Sequence, residues 1–250
     1  MSDWAPLKRY TSARIGQVRA GTSVSTKELL EFQLAHAQAR DAVIHSWDPE
    51  VCSAQLTAAG VDNLVVRSRA SDRTTYLARP DLGRQLEPES LRALEARRSE
   101  DPEDVALILS DGLSATAVQN HGVSTIQALL EAFRRRGLRV TPVVLVGNGR
   151  VGLSDVIGHA LGAQTALIVL GERPGLSAAD SLGFYLTHGP KPGNTDAQRN
   201  CISNVREGGL PPKLAAERIG ALLVRAIEIG TSGVELKASE PPPELPARTR

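Results

Sequence analysis

The sequence predicts an α/β protein, with a mostly parallel sheet flanked by helices and preceded by an N-terminal helical segment. From Asp104 onward, short apolar runs alternate with amphipathic stretches, which is the pattern of βα units in a parallel sheet. Before Asp104, helix-start signals dominate: Ser25 and Glu28 match a capping box, and Asp48 precedes a proline. The expected architecture is therefore Rossmann-like.

The first hundred residues are expected to form an arm over residues 1–20 and a mainly helical segment over 21–100. Apolar residues at helical spacing predict the first helix, and Gly60 marks the end of the second. The expected elements are helices over 26–45 and from 49 to Gly60, a short strand over 63–68, an irregular basic loop over 73–85, and a helix over 88–98.

Residues 101–237 are expected to form the α/β domain, and the proline-rich residues 238–250 a disordered tail. Glycines at the ends of amphipathic stretches predict where the helices stop. The expected strands are 105–109, 139–146, 164–170 and 182–187, and the expected helices are 123–136, 154–161 and 211–229.

Composition excludes several classes of protein. Of the 250 residues, 41% are hydrophobic and 23% charged, so a wholly disordered chain is excluded. The net charge of +1 gives no electrostatic reason to expect nucleic acid or an anionic membrane as partner, and 3% aromatic residues leave little for stacking bases. The apolar runs fall short of the roughly 20 residues that span a bilayer, and no secretory signal is evident, so we expect a cytoplasmic protein.

Ligands of open α/β sheets bind beyond the carboxyl ends of the strands, so the loops that follow the strands are the candidate sites. The turn at residues 110–114 is polar, and its alternative interpretation is a helix cap with a turn glycine. The turn at 171–176 carries Glu172 and Arg173 beside Pro174, which suits polar or anionic groups of a ligand. Its alternative interpretation is an exposed ion pair of little energetic weight.

The loop from Gly147 to Gly152 spells G-x-G-x-x-G after a predicted strand, and Glu172 follows about twenty residues later, which is formally a dinucleotide fingerprint. A nicotinamide-dinucleotide-binding oxidoreductase is therefore one hypothesis. Against it, Ser154 or Asp155 is the better helix cap, and tight turns often need glycines for steric reasons alone.

The remaining sequence offers no catalytic apparatus of its own. Cys52 and Cys201 are too isolated to form a disulfide framework or a zinc site, and a lone cysteine is more often a small buried hydrophobe than a nucleophile. The sequence contains no G-x-S-x-G, P-loop or H-E-x-x-H motif. The residues alone thus predict a ligand-binding α/β domain, and no metal ligands are predicted.

Taken together, five segments resemble the small (light) subunit of ethanolamine ammonia-lyase over roughly residues 12–237. They are Arg-Pro-Asp-Leu-Gly-Arg at 79–84, Asp-Gly-Leu-Ser-Ala at 111–115, Gly-Arg-Val at 149–151, Gly-Glu-Arg-Pro-Gly-Leu at 171–176 and Arg-Asn-Cys-Ile-Ser-Asn at 199–204. The resemblance implies an adenosylcobalamin-dependent lyase that converts ethanolamine to acetaldehyde and ammonia. It also implies a hetero-oligomer in which a large TIM-barrel subunit holds the substrate and the cobalamin lies at the subunit interface.

Carried over from the family, the cobalamin contacts fall on Val151, Glu172 and Cys201. No catalytic acid or base is implied in this chain, and it is expected to be inactive alone. The sequence contains no D-x-H-x-x-G motif, so base-on binding of the cobalamin is expected. The family commonly has a longer leader before the position of Ile15, which is thought to direct the enzyme into a bacterial microcompartment. The stretch before Ile15 is short by comparison, so the sequence leaves open whether the protein stays in the cytoplasm or enters a microcompartment.

Overall fold

The computed structural model describes residues 4–11, 13–17 and 19–238. The helices are α1 Ala5–Lys8, α2 Thr26–Ile44, α3 Pro49–Ala58, α4 Arg73–Ala78, α5 Pro88–Glu95, α6 Ala115–Arg134, α7 Leu153–Leu161, α8 Pro212–Ile229 and α9 Val234–Ala238. The strands are β1 Arg19–Ala20, β2 Ser23–Val24, β3 Asn63–Arg67, β4 Val105–Ser110, β5 Val143–Gly147, β6 Thr165–Gly171, β7 Leu182–His188 and β8 Arg199–Val205. Of the predicted tail at 238–250, Ala238 is the last residue of α9, and residues 239–250 lie outside the described residues.

Six strands form one mixed sheet in the order β3-β5-β4-β6-β7-β8, and β1 and β2 form a separate hairpin. The first four strands of the sheet are parallel, while β7 runs antiparallel to β6 and β8 antiparallel to β7. The predicted α/β class with a mostly parallel sheet is confirmed. Strand β3 belongs to this sheet although it lies within the predicted N-terminal segment; the boundary drawn at residue 100 stays a prediction.

Local capping sets several helix ends where the sequence predicts them. The Ser25 hydroxyl accepts a hydrogen bond from the Glu28 amide at the start of α2, and Asp48 accepts one from the Glu50 amide at the start of α3. Gly162 adopts a left-handed conformation, with φ of 72°, directly after α7. Because such a conformation costs glycine little, the helix can stop there.

The sheet is covered unequally on its two faces. One face packs under α6 and α8 through a cluster that includes Leu167, Phe184 and Leu223. On the other face, α7 covers β4 and β6 through residues such as Ile157 and Ile168. Beyond α7, Cys201 and Ser203 of β8 are exposed on this second face.

Four sequence predictions need correction. The expected irregular loop at 73–85 contains α4, because Asp72 caps it at the Thr75 amide, and it also contains a short 3₁₀ turn. Helix α6 begins at Ala115, since Ser114 caps it, and Gly122 lies inside the helix, packed close to Leu109. The strand expected from residue 139 begins only at Val143, and residues 199–205, assigned no secondary structure from sequence, form β8.

No helix among the described residues is long and apolar enough to cross a membrane.

Candidate functional site

The three predicted contact residues lie on one side of the sheet, the side that α7 covers only in part. Val151 precedes the first turn of α7, and Glu172 directly follows β6. Cys201 lies within β8, directly opposite Tyr185 of β7 in the strand ladder. Val151 and Tyr185 both pack, half-buried, against the apolar cluster under α7.

Strand alternation defines the surface between these residues. Leu182, Phe184 and Leu186 of β7 point into the core under α6 and α8, so Gly183 and Tyr185 point the other way. We use the name open face for Gly183, Tyr185, Cys201 and Ser203 together with the bordering residues Val151 and Glu172. Cys201 and Ser203 are exposed, the side chains of Val151, Glu172 and Tyr185 are half-buried, and Gly183 is buried next to Glu172 and Tyr185.

Glu172 is held across the open face by the backbone of β8. Its Oε2 accepts a hydrogen bond from the Asn204 amide at 3.0 Å. Asn204 has a φ of 59°, and the pairing of β7 with β8 shifts register at this point. Bulges of this kind redirect backbone groups next to functional sites, and here the redirected N–H fixes a carboxylate.

Glu172 can lie close to β7 because Gly183 has no side chain. A Cβ at position 183 would lie 3.0 Å from Glu172 Oε1 and 2.9 Å from Tyr185 Cε2. Any larger residue would therefore push these two side chains off the sheet. The open face is lined by a carboxylate, a phenol and a thiol.

Tyr185 lies on the open face and was not among the residues predicted from the sequence. Burial, followed by the nearby Cys201 and Glu172, raises the pKa of its phenol above the ordinary value. A side-chain hydrogen bond with Cys201 contributes to this rise, so the phenol hydroxyl and the thiol interact on the open face. The signal was present in the alternation of residues 182–188, but it needed the knowledge that β8 pairs beside β7.

The two cysteines differ in access. Burial raises the pKa of the Cys52 thiol to about 11, and Cys52 is 4% exposed. Cys201 is exposed, with its Sγ 3.3 Å from the Ser203 hydroxyl oxygen.

We expect iodoacetamide to label Cys201 in the native protein and to label Cys52 only after unfolding, because the thiolate is the reactive form and Cys52 is both buried and protonated. Peptide mass spectrometry after timed labelling measures both rates. Cys201→Ser supplies the control for assignment of the labelled site. Equal labelling of both cysteines in the folded protein would contradict the placement of Cys201 on the open face.

The backbone amides of the glycine-rich loop before α7 already have hydrogen-bond acceptors within the chain. The amides of Asn148, Gly149 and Arg150 donate to Asp111 Oδ1, Ser110 Oγ and the Gly83 carbonyl, at 2.6, 2.9 and 2.8 Å. A dinucleotide pyrophosphate needs such amides free. A Cβ on Gly149 would lie 2.7 Å from Ser110 Oγ, so this glycine serves packing between two loops.

The polar turn after β4 also has a structural role. Ser114 caps α6 through the Ala117 amide at 3.1 Å, so the helix-cap interpretation is correct. Asp111 is buried against Arg73, with 3.2 Å between Oδ2 and Nη1. Burial raises the pKa of Asp111, and the charge of Arg73 opposes that rise. This ion pair joins α4 to the carboxyl edge of the sheet.

Comparison with known proteins identifies the family. A family model described as ethanolamine ammonia-lyase light chain (EutC) matches residues 1–237. The chain belongs to this family. It is 49% identical over 236 residues to the ethanolamine ammonia-lyase small subunit of Pseudomonas fluorescens, covering 94% of this chain and 85% of that one.

Two further relatives carry the same name. The protein of Azotobacter vinelandii is 48% identical, with 94% of this chain and 87% of the relative covered. That of Ralstonia nicotianae is 47% identical over 249 residues, with 99% and 92% covered. The family predicted from the five segments is confirmed, and with it the class of a lyase subunit in a heteromeric enzyme.

Proposed function

We propose that this chain is the small subunit of an adenosylcobalamin-dependent ethanolamine ammonia-lyase, which converts ethanolamine to acetaldehyde and ammonia, and that its open face holds the cobalamin. The observation that carries the proposal is the convergence of Val151, Glu172 and Cys201, separated by up to fifty positions in the chain, on one uncovered sheet surface.

The donor set on this surface suits a corrin ring. The rim of the corrin carries amide side chains, which pair with carboxylates and hydroxyls. Glu172 offers carboxylate oxygens, and Tyr185 and Ser203 offer hydroxyl groups. Val151 and the Tyr185 ring provide apolar contact, and Gly183 leaves room for the Glu172 and Tyr185 side chains to lie close to the sheet. These residues would hold the cofactor.

The open face would contact only one side of the cobalamin, and this defines the role of the subunit. A large subunit would close over the other side of the cobalamin and hold ethanolamine. When bound, adenosylcobalamin supplies the radical chemistry of the reaction. This chain's residues bind and orient the corrin and keep water from one side of it, and none acts as a catalytic acid or base. We place the hetero-oligomer in the cytoplasm, with a bacterial microcompartment as the alternative.

We expect Glu172→Gln to weaken cobalamin binding by about 1–3 kcal/mol, or roughly 5- to 150-fold in Kd, because a charge-assisted hydrogen bond becomes a neutral one. The change keeps the size of the side chain. The measurement is a titration of the complex reconstituted with the large subunit, followed by hydroxocobalamin absorbance. Glu228→Gln, exposed on α8 at the opposite face of the sheet, is the matched control. An unchanged Kd for Glu172→Gln would argue against the open face as the cobalamin site.

We also expect the isolated chain to be inactive toward ethanolamine and to bind cobalamin weakly, since most of the corrin would stay in water. Mixing with the large subunit should restore both activity and binding. Acetaldehyde release and hydroxocobalamin titration are measured on the chain alone, the large subunit alone and the mixture. Turnover by the chain alone, or by the large subunit alone at the full rate of the mixture, would contradict the proposal that both subunits are needed for activity.

A further inference from the structure

A buried ion pair connects the two borders of the open face. Arg199, the first residue of β8, donates from Nη1 to Asp155 Oδ1 at 2.7 Å and from Nη2 to Asp155 Oδ2 at 2.8 Å. Asp155 lies in the first turn of α7. The side chains are 6% and 3% exposed. This bidentate geometry fixes both distance and orientation between helix and strand.

The remaining hydrogen-bonding groups of the guanidinium are also engaged. Arg199 donates to Thr187 Oγ1 and to the Asn194 carbonyl, both at 3.0 Å, and its Nε lies 3.3 Å from Asp196. Burial raises the pKa of the Asp155 carboxyl, and the hydrogen bonds and the charge of Arg199 oppose that rise. The pair is thus saturated within the fold and leaves little freedom to either partner.

The position of the pair relates it to the site. Val151 lies four residues before Asp155, at the turn that opens α7, and Cys201 lies two residues after Arg199 on the same side of β8. The pair therefore spans the two elements that carry opposite borders of the open face.

We infer that Asp155 and Arg199 are positioning residues for the cobalamin, because they set the separation between the Val151 turn and the Cys201 strand. The inference rests on the proposed function. Stability alone gives a weaker reason for the pair, since a well-packed apolar pair is often as stabilising as a buried ion pair. What an apolar pair lacks is the fixed two-point geometry, and small displacements of binding groups weaken ligand binding strongly.

The test compares two arginines that each bridge elements of the fold. Arg199→Lys keeps the positive charge beside Asp155 but removes the bidentate hydrogen bonding of the guanidinium, since an ammonium group is a single point of charge. Arg136→Lys is the control, because Arg136, which lies just after α6, donates to Glu217 of α8 at 2.8 Å on the opposite face of the sheet. Each variant is reconstituted with the large subunit, assembly is checked by sizing, and hydroxocobalamin is titrated by absorbance.

We expect Arg199→Lys to raise the Kd for hydroxocobalamin by about 10- to 100-fold in a fully assembled complex, and Arg136→Lys to leave it unchanged. Asp155→Asn should resemble Arg199→Lys, provided that it folds. A normal Kd for Arg199→Lys, or an equal loss in both arginine variants, would overturn the positioning role. If Glu172→Gln weakens binding while Arg199→Lys does not, this inference alone fails; if neither variant weakens binding, the proposed function fails with it.

Discussion

Asp111→Ala is expected to lower the free energy of unfolding by about 3–5 kcal/mol, because it leaves the charge of Arg73 buried without its carboxylate partner. Asp111 is 2% exposed and Arg73 7% exposed. The Arg73 guanidinium also donates to the carbonyls of Val43 and Gly112, at 2.6 and 2.7 Å. The substitution would in addition deprive the Asn148 amide of its acceptor. Several segments that meet at the carboxyl edge of the sheet thus depend on one carboxylate.

Urea or thermal unfolding of the purified chain measures this effect. Asp81→Ala is the matched control, since Asp81 also pairs with an arginine, Arg79, but both side chains are more than half exposed. We expect that control to change the midpoint of unfolding little, because exposed ion pairs contribute little. Similar midpoints for the two variants would contradict the structural role assigned to Asp111.

Gly183→Val is expected to raise the Kd for cobalamin by about 100-fold or more, a larger effect than that of Glu172→Gln, because it disturbs two side chains and also occupies the surface. The Cβ would displace Glu172 and Tyr185, and the branched methyl groups would project where the corrin is proposed to lie. The displaced atoms belong to side chains at an uncovered surface, and valine suits a strand. The fold should therefore survive the substitution.

Binding is measured by hydroxocobalamin titration of the reconstituted complex, with circular dichroism to check folding. Gly183→Ala should have an intermediate effect. Gly147→Ala is the control, since its Cβ would lie 3.6 Å from the Pro49 Cγ, an ordinary contact. If a folded Gly183→Val complex bound hydroxocobalamin with wild-type affinity, the open face would be excluded as the cobalamin-binding site.

Local signals predicted much of the fold, and their limits explain what they missed. Ser25 and Gly162 act on their own helix ends, so they can be recognised without tertiary information. Strand β8 was missed because it is polar, and it tolerates polar residues because one side of it faces solvent. Helix α6 begins at Ala115 and not at residue 123, since Ser114 caps it and Gly122 fits inside it against Leu109, a contact that only the tertiary structure provides.

Part of the candidate site could also be predicted from local sequence, and part of it required the tertiary structure. The rule that ligands bind beyond strand ends selected the loops of Val151 and Glu172, and family resemblance named the residues within them. Cys201 lies inside a strand, where that rule does not look. Tyr185 could not be found without the pairing of β7 with β8, and neither could the hydrogen bond from Asn204 to Glu172, which depends on a register shift.

The central claim is that the cobalamin lies on the open face, and the structure of the complex with large subunit and cobalamin tests it most directly. We predict that the corrin lies over Gly183 and Tyr185, with a rim amide within hydrogen-bonding distance of Glu172 and with Val151 and Cys201 in contact with the ring. A corrin enclosed by the large subunit alone, or bound in the cleft of about 650 Å³ between α2 and the Ala178–Asp180 loop, would contradict the claim.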